Sequence, residues 1–210
     1  MTPQAVHLGI YDTMSDWEVG YVTAHINKRD WQRRPGRYRV VTVGATTEPV
    51  TTMGGLRVAP DITLDELSPD ASAMLILAGS ETWGPTNSGA NTAFADAARR
   101  FLDAGVPVAA ICGATLGLAA AGLLDDREHT SNAAQFVAFA PRYAGAAHYR
   151  DEPVVVDRGL ITATGTAPVA FARSIFDALD LYAPDVADAW FDLYGTGDPA
   201  AFFRLEQAAR

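Results

Sequence analysis

The sequence predicts an α/β fold: a three-layer α/β/α sandwich on a mostly parallel sheet. Three observations predict it. Residues 5–11, 74–78 and 106–111 are short, nearly unbroken apolar runs, the pattern of strands buried on both faces. They alternate with amphipathic helical stretches, the order of successive βα units. The third run passes into a helix with only Cys112-Gly113 between them, which leaves almost no room for a loop.

Each element has its own signal. Residues 5–11 form the first strand and turn formers fill 12–15. A helix starts at Asp16-Trp17-Glu18, with Val19, Val22, Ala24 and Ile26 among its apolar positions. Ser15 followed three residues on by Glu18 matches a capping box, in which Glu18 serves as the N3 carboxylate. Residues 27–39 are polar and basic, broken by Pro35-Gly36. Residues 38–43, rich in Val and Tyr, suit a second strand. Residues 50–53 and 56–59 make a hairpin around Gly54-Gly55. Residues 60–67 read as a helical turn capped by Asp61 or Thr63. The strand at 74–78 ends in Gly79-Ser80, and a loop follows at Trp83-Gly84-Pro85.

A helix over 92–104 carries Phe94, Ala97, Ala98, Phe101 and Leu102 inward and stops at Gly105. Beyond the Cys112 strand and helix, residues 125–132 are a polar connector containing His129, Thr130, Ser131 and Asn132. A short helix covers 133–139, ended by Pro141. Residues 154–156 and 160–163 form a second hairpin. Thr164-Gly165-Thr166 lead into a helix over 168–182, opened by Pro168. Two more helical patterns surround Trp190 and Phe203. No repeat or linker divides the chain. It reads as one domain over 1–183 with a helical addition at 184–210, packed on that domain or at a dimer interface.

The bulk numbers exclude several classes. A net charge of −9 over 210 residues argues against a nucleic-acid or anionic-membrane surface. No run approaches the ~18 apolar residues of a transmembrane helix. The first residues lack the basic and apolar regions of a signal peptide. A single cysteine cannot form an internal disulfide, and a free thiol fits a reducing cytoplasm. His7, His25, His129 and His148 lack metal-ligand spacing, and no phosphate loop or dinucleotide fingerprint is present, so neither metal nor cofactor is expected. The expected partner is a small-molecule substrate.

Cys112 has two readings. A lone cysteine in an Ala-rich segment is ordinarily a small buried hydrophobe. At an abrupt strand-to-helix turn, however, the side chain is thrust out at the carboxyl edge of the sheet, as in a nucleophile elbow. The helix N-terminus behind it favours a thiolate. In such sheets the active crevice lies outside the carboxyl ends of the strands. Three stretches are placed to meet there: the loop with Asp16 and Glu18, Gly79-Ser80, and Cys112-Gly113.

Together these stretches resemble the DJ-1/PfpI superfamily, a branch of the class I glutamine amidotransferase-like fold with a flavodoxin-like sheet. The resemblance spans residues 5–182. It includes the acidic residues after the first strand, Ala78-Gly79-Ser80, Ala110-Ile111-Cys112-Gly113-Ala114 and Gly159-Leu160-Ile161-Thr162. It implies Cys112 as nucleophile and Glu18 as the carboxylic acid that donates a hydrogen bond to its sulfur, with Asp16 the alternative. It implies the Gly79 and Gly113 amides as an oxyanion hole, assisted by Ser80. It also implies a homodimer, to which Trp190, Phe191, Phe202 and Phe203 would contribute unless they pack inward. Trp17 and Trp83 either wall the pocket or serve packing.

The sequence departs from the family at the histidine. Peptidase-like members place a His directly after the nucleophile, where Gly113 stands. Others place it after two hydroxyl residues, where Asn132 follows Thr130-Ser131. His129 either reaches in from the same loop or lies on the surface. With no acid for a leaving amine, Cys112 chemistry on a small carbonyl, such as an aldehyde, ranks above amide hydrolysis. The alternative is a redox-responsive cysteine, or a binding module of the same family.

Overall fold

The computed structural model describes residues 2–84 and 91–208; Pro85 of the expected loop lies outside the described residues. One seven-stranded sheet forms its centre. Its strands are β1 (Gln4–Gly9), β2 (Tyr38–Gly44), β5 (Ile62–Thr63), β6 (Ser72–Leu77), β7 (Val108–Ile111), β8 (Val154–Asp157) and β9 (Leu160–Ala163). Their order is β5-β2-β1-β6-β7-β9-β8, parallel except for the β8 edge. A separate small hairpin pairs β3 (Val50–Thr51) with β4 (Arg57–Val58) across the Gly54-Gly55 turn.

The burial of these strands follows from their composition. β7 is Val-Ala-Ala-Ile and all four residues are buried, because helices cover both faces. Those helices are α1 (Asp16–Asn27), α2 (Thr92–Asp103), α3 (Gly113–Ala120), α4 (Ala134–Val137), α5 (Pro168–Ala178), α6 (Pro184–Phe191) and α7 (Ala200–Ala208). Within α2, Phe94, Ala95, Ala97, Ala98 and Phe101 are buried, an inner stripe at helical spacing. α6 leads into a π-helical turn (Asp192–Thr196). Trp190 of α6 is fully buried and packs edge-on against Phe176 of α5 and His25 of α1. Phe202 and Phe203 are exposed. Among the described residues no helix is long and apolar enough to cross a membrane.

Two expectations about elements need correction. Residues 60–67 contain no helix. Ile62 and Thr63 pair with Val43 and Gly44 as the edge strand β5, because strand-to-strand bonding to β2 outweighs the local capping signal. The helix expected to reach residue 182 stops at Ala178. Asp180 adopts φ +51°, and the Leu181 N–H reaches back to the Phe176 carbonyl, a left-handed helix cap formed without glycine.

Sheet order does the functional work. Strands β1, β6, β7 and β9 are adjacent and parallel, so the four loops at their carboxyl ends open on one crevice.

Candidate active site

Cys112 stands at the bend between β7 and α3 with φ +57° and ψ −124°. A non-glycine residue held there stores about 1–3 kcal/mol of strain, which the buried strand before it and helix after it enforce. Its sulfur is half-buried, and polar groups surround it. The Asn132 Nδ2 donates to Sγ at 3.2 Å. The other end of the same amide is fixed, because its Oδ1 accepts the Gly165 N–H at 2.9 Å. The Gly113 amide, at the start of α3, favours the thiolate.

Glu18 is completely buried at the start of α1. Its Oε2 accepts the Gly79 N–H at 2.6 Å. Its Oε1 has no nitrogen or oxygen partner and faces the sulfur instead. The capping-box reading therefore fails: the Ser15 N–H donates to the Gly79 carbonyl at 2.9 Å and leaves Glu18 free to turn inward. Burial pushes the Glu18 carboxyl above its ordinary range, outweighing the Gly79, Cys112 and Ser15 hydrogen bonds that act the other way.

The thiol is not acidic, contrary to expectation. Burial first, and the nearby Glu18 charge second, push Cys112 up to about 11, against the pull of Asn132 and Gly113. Because Oε2 is engaged as an acceptor, Oε1 is the carboxyl oxygen left to face the sulfur.

Two glycines make the close approach possible. A Cβ built on Gly79 would lie 3.0 Å from both Sγ and Glu18 Oε1. One built on Gly165 would lie 2.8 Å from Sγ and 3.2 Å from Oε1. Gly165, in the loop after β9, is the site residue that sequence reasoning missed. Thr164-Gly165-Thr166 looks like an ordinary turn, and only the β7–β9 pairing would have drawn notice to it.

Other expected residues lie elsewhere. Asp16 accepts the Gly54 N–H at 2.6 Å and anchors the β3–β4 turn, so it is not the cysteine's partner. The Gly79 amide is spent on Glu18 and is not an oxyanion donor here. The Ser80 hydroxyl joins Thr82 and Asn91 and starts a short helical turn, so it does not assist at the sulfur. The Ser80 N–H has no acceptor among the described residues. His129 neither lies on the surface nor reaches the sulfur. It is fully buried, with Nδ1 donating to the Arg127 carbonyl and Nε2 bonded to the Tyr143 hydroxyl, each at 2.7 Å. Burial holds it below its usual value, which keeps it neutral. Trp83 is buried, its Nε1 donating to the Ala78 carbonyl at 2.9 Å and to the Tyr11 hydroxyl at 3.1 Å. Trp17 is exposed.

The sequence and the fold agree with known proteins. The DJ-1/PfpI family model matches residues 4–178. The chain is 41% identical over 208 residues to the uncharacterized protease YoaZ of Bacillus subtilis, covering 98% of this chain and 97% of that one. It is 30% identical over 178 residues to the uncharacterized protease YdeA of the same organism, covering 84% and 83%. The crystal structure of a ThiJ/PfpI family protein from Bacillus anthracis superposes with a TM-score of 0.91 at 38% identity, covering 100% of this chain and 98% of that one. A bent strand-to-helix cysteine, a buried carboxyl at its sulfur and this ancestry lead to one statement: the chain belongs to the DJ-1/PfpI family.

Proposed function

We propose that this protein is an enzyme whose Cys112 adds covalently to the carbonyl carbon of a small aldehyde. The observation that carries the reading is the pairing of a strained, half-buried sulfur with an otherwise unpartnered carboxyl oxygen, Glu18 Oε1. In the first step the sulfur bonds to the carbonyl carbon, the C=O π pair moves to oxygen, and the thiol proton passes to Oε1. In the second, Oε1 returns that proton to the oxyanion, giving a neutral hemithioacetal. The Ser80 and Gly113 amides flank the bend and supply donors to the developing charge, Ser80 taking the role expected of Gly79.

The protease names of the two Bacillus subtilis relatives support a hydrolase-like class. Aldehyde chemistry ranks ahead of amide cleavage because a leaving amine needs an acid and no histidine is bonded at the sulfur. The test is turnover of α-oxoaldehydes and activated esters by wild type, Cys112→Ser and Cys112→Ala. Loss of activity to the uncatalysed rate in both variants supports the reading, and retained activity refutes it. A second reading, reversible oxidation of Cys112, is favoured by the same Asn132 and Gly113 donors, which suit an oxidised sulfur's oxygens. Intact mass after mild peroxide treatment distinguishes it: rapid oxygen addition without turnover of any carbonyl compound favours oxidation.

A further inference from the structure

We infer that the substrate carries an aromatic or branched apolar group next to its reacting carbonyl, seated in a pocket beside Cys112. This rests on the covalent reading above and extends it to substrate class. A cavity of about 230 Å³ is walled by Trp83, Leu116, Phe136 and Phe139, with Glu81 and Gly84 also on its lining and Ser80 and Gly113 on its inner side. That inner side adjoins the sulfur. A Cβ on Gly113 would lie 3.5 Å from the Gly79 Cα, and one on Gly79 would lie 3.0 Å from Sγ. Cys112 itself does not line the cavity, but the next residue, Gly113, does, so a substituent on a carbonyl carbon bonded to Sγ reaches the pocket by passing over Gly113.

Apart from Glu81 the walls are apolar, and their back is rigid. Both bonds of the Trp83 indole N–H hold that ring, and it packs on Gly117, where a Cβ would lie only 2.2 Å from two ring carbons. Leu116, in the first turn of α3, lines the same cavity. Phe139 is 68% exposed and forms the rim. An enclosed cavity of roughly 150 Å³ holds benzene, so by volume a phenyl-sized group fits this open pocket of about 230 Å³.

The test compares alkylation of Cys112, the only thiol, by 2-bromoacetophenone and by bromoacetone. In both the sulfur displaces bromide and its proton goes to buffer, so no turnover is needed. Each rate is divided by the rate with glutathione. The aryl reagent is expected to be favoured by about tenfold or more. Phe139→Ser and Phe136→Ala are expected to lower the aryl rate and erase that preference. Phe139 is exposed, so its variant does not threaten the fold. A normalised ratio near one, a preference untouched by both variants, or failure of either reagent to reach Cys112 overturns the inference. An aryl preference with no turnover of any carbonyl compound upholds the pocket and sinks the catalytic reading alone.

Discussion

Glu18→Gln separates two roles that one carboxyl combines. Gln retains an oxygen to accept the Gly79 N–H and a donor to face the sulfur, but it carries no charge and moves no proton. Sγ and Oε1 both lie about 3 Å from the Cβ positions of Gly79 and Gly165, so they are close neighbours. At roughly 5 Å and an effective dielectric constant near 20, the carboxylate costs the thiolate about 3 kcal/mol, or about two pK units. Removing it lowers the Cys112 pKa from about 11 by that amount. The thiolate fraction at neutral pH then rises about a hundredfold. A less basic thiolate is also a weaker nucleophile, which returns roughly a factor of ten. Alkylation by iodoacetamide therefore accelerates about tenfold, while aldehyde turnover falls by about a hundredfold or more because the proton relay is gone. The assay pairs ultraviolet titration of the thiolate with alkylation and turnover rates on the same preparation. Alkylation that slows or stays unchanged, or turnover that survives, refutes the proposed division of labour.

Other expectations follow from the same geometry. Gly165→Ala sets a methyl group 2.8 Å from Sγ. Gly165 does not adopt a positive φ, but the same methyl would lie 2.9 Å from the Cys112 Cβ, so this variant should melt several degrees below wild type and alkylation and turnover should drop about tenfold or more. Cys112→Gly releases the strain of φ +57°, so it should unfold at a temperature about 3 °C above Cys112→Ala, corresponding to about 1 kcal/mol. His25, enclosed by Trp31, Phe176, Trp190 and Tyr194, is held down to about 4, by burial first and Lys28 second. A base depressed in the fold leaves stability intact above its free value of 6.5 and removes it as pH falls toward 4. Urea unfolding should show a loss of about 2 kcal/mol between pH 7 and pH 5 that His25→Phe largely abolishes.

The sheet was legible because its strands announce themselves: a strand buried on both faces has no alternative to an apolar run, as in Met74-Leu75-Ile76-Leu77. β5 was not, since two residues at an edge show no period and Pro60-Asp61 signal a cap. Cys112 could be found because a strand meeting a helix without a loop is itself a local signal. Glu18 stayed ambiguous because the capping box and the inward carboxyl share one local sequence. What decides between them is the Gly79 carbonyl, sixty-four residues from Ser15, taking the Ser15 N–H. Gly165 was hidden for the same reason, being near Cys112 only through β9 pairing with β7. His129 shows the limit of residue type: its burial depends on Tyr143 and the Arg127 carbonyl, which no spacing reveals.

The claim on which everything else depends is a covalent bond between the Cys112 sulfur and a carbonyl carbon. Nuclear magnetic resonance of an α-oxoaldehyde labelled at its aldehyde carbon reports that bond directly. Wild type should convert the label to a tetrahedral, sulfur-bonded carbon signal that is absent with Cys112→Ala. An aldehyde consumed at full rate with no such signal, or the same signal with Cys112→Ala, would contradict it.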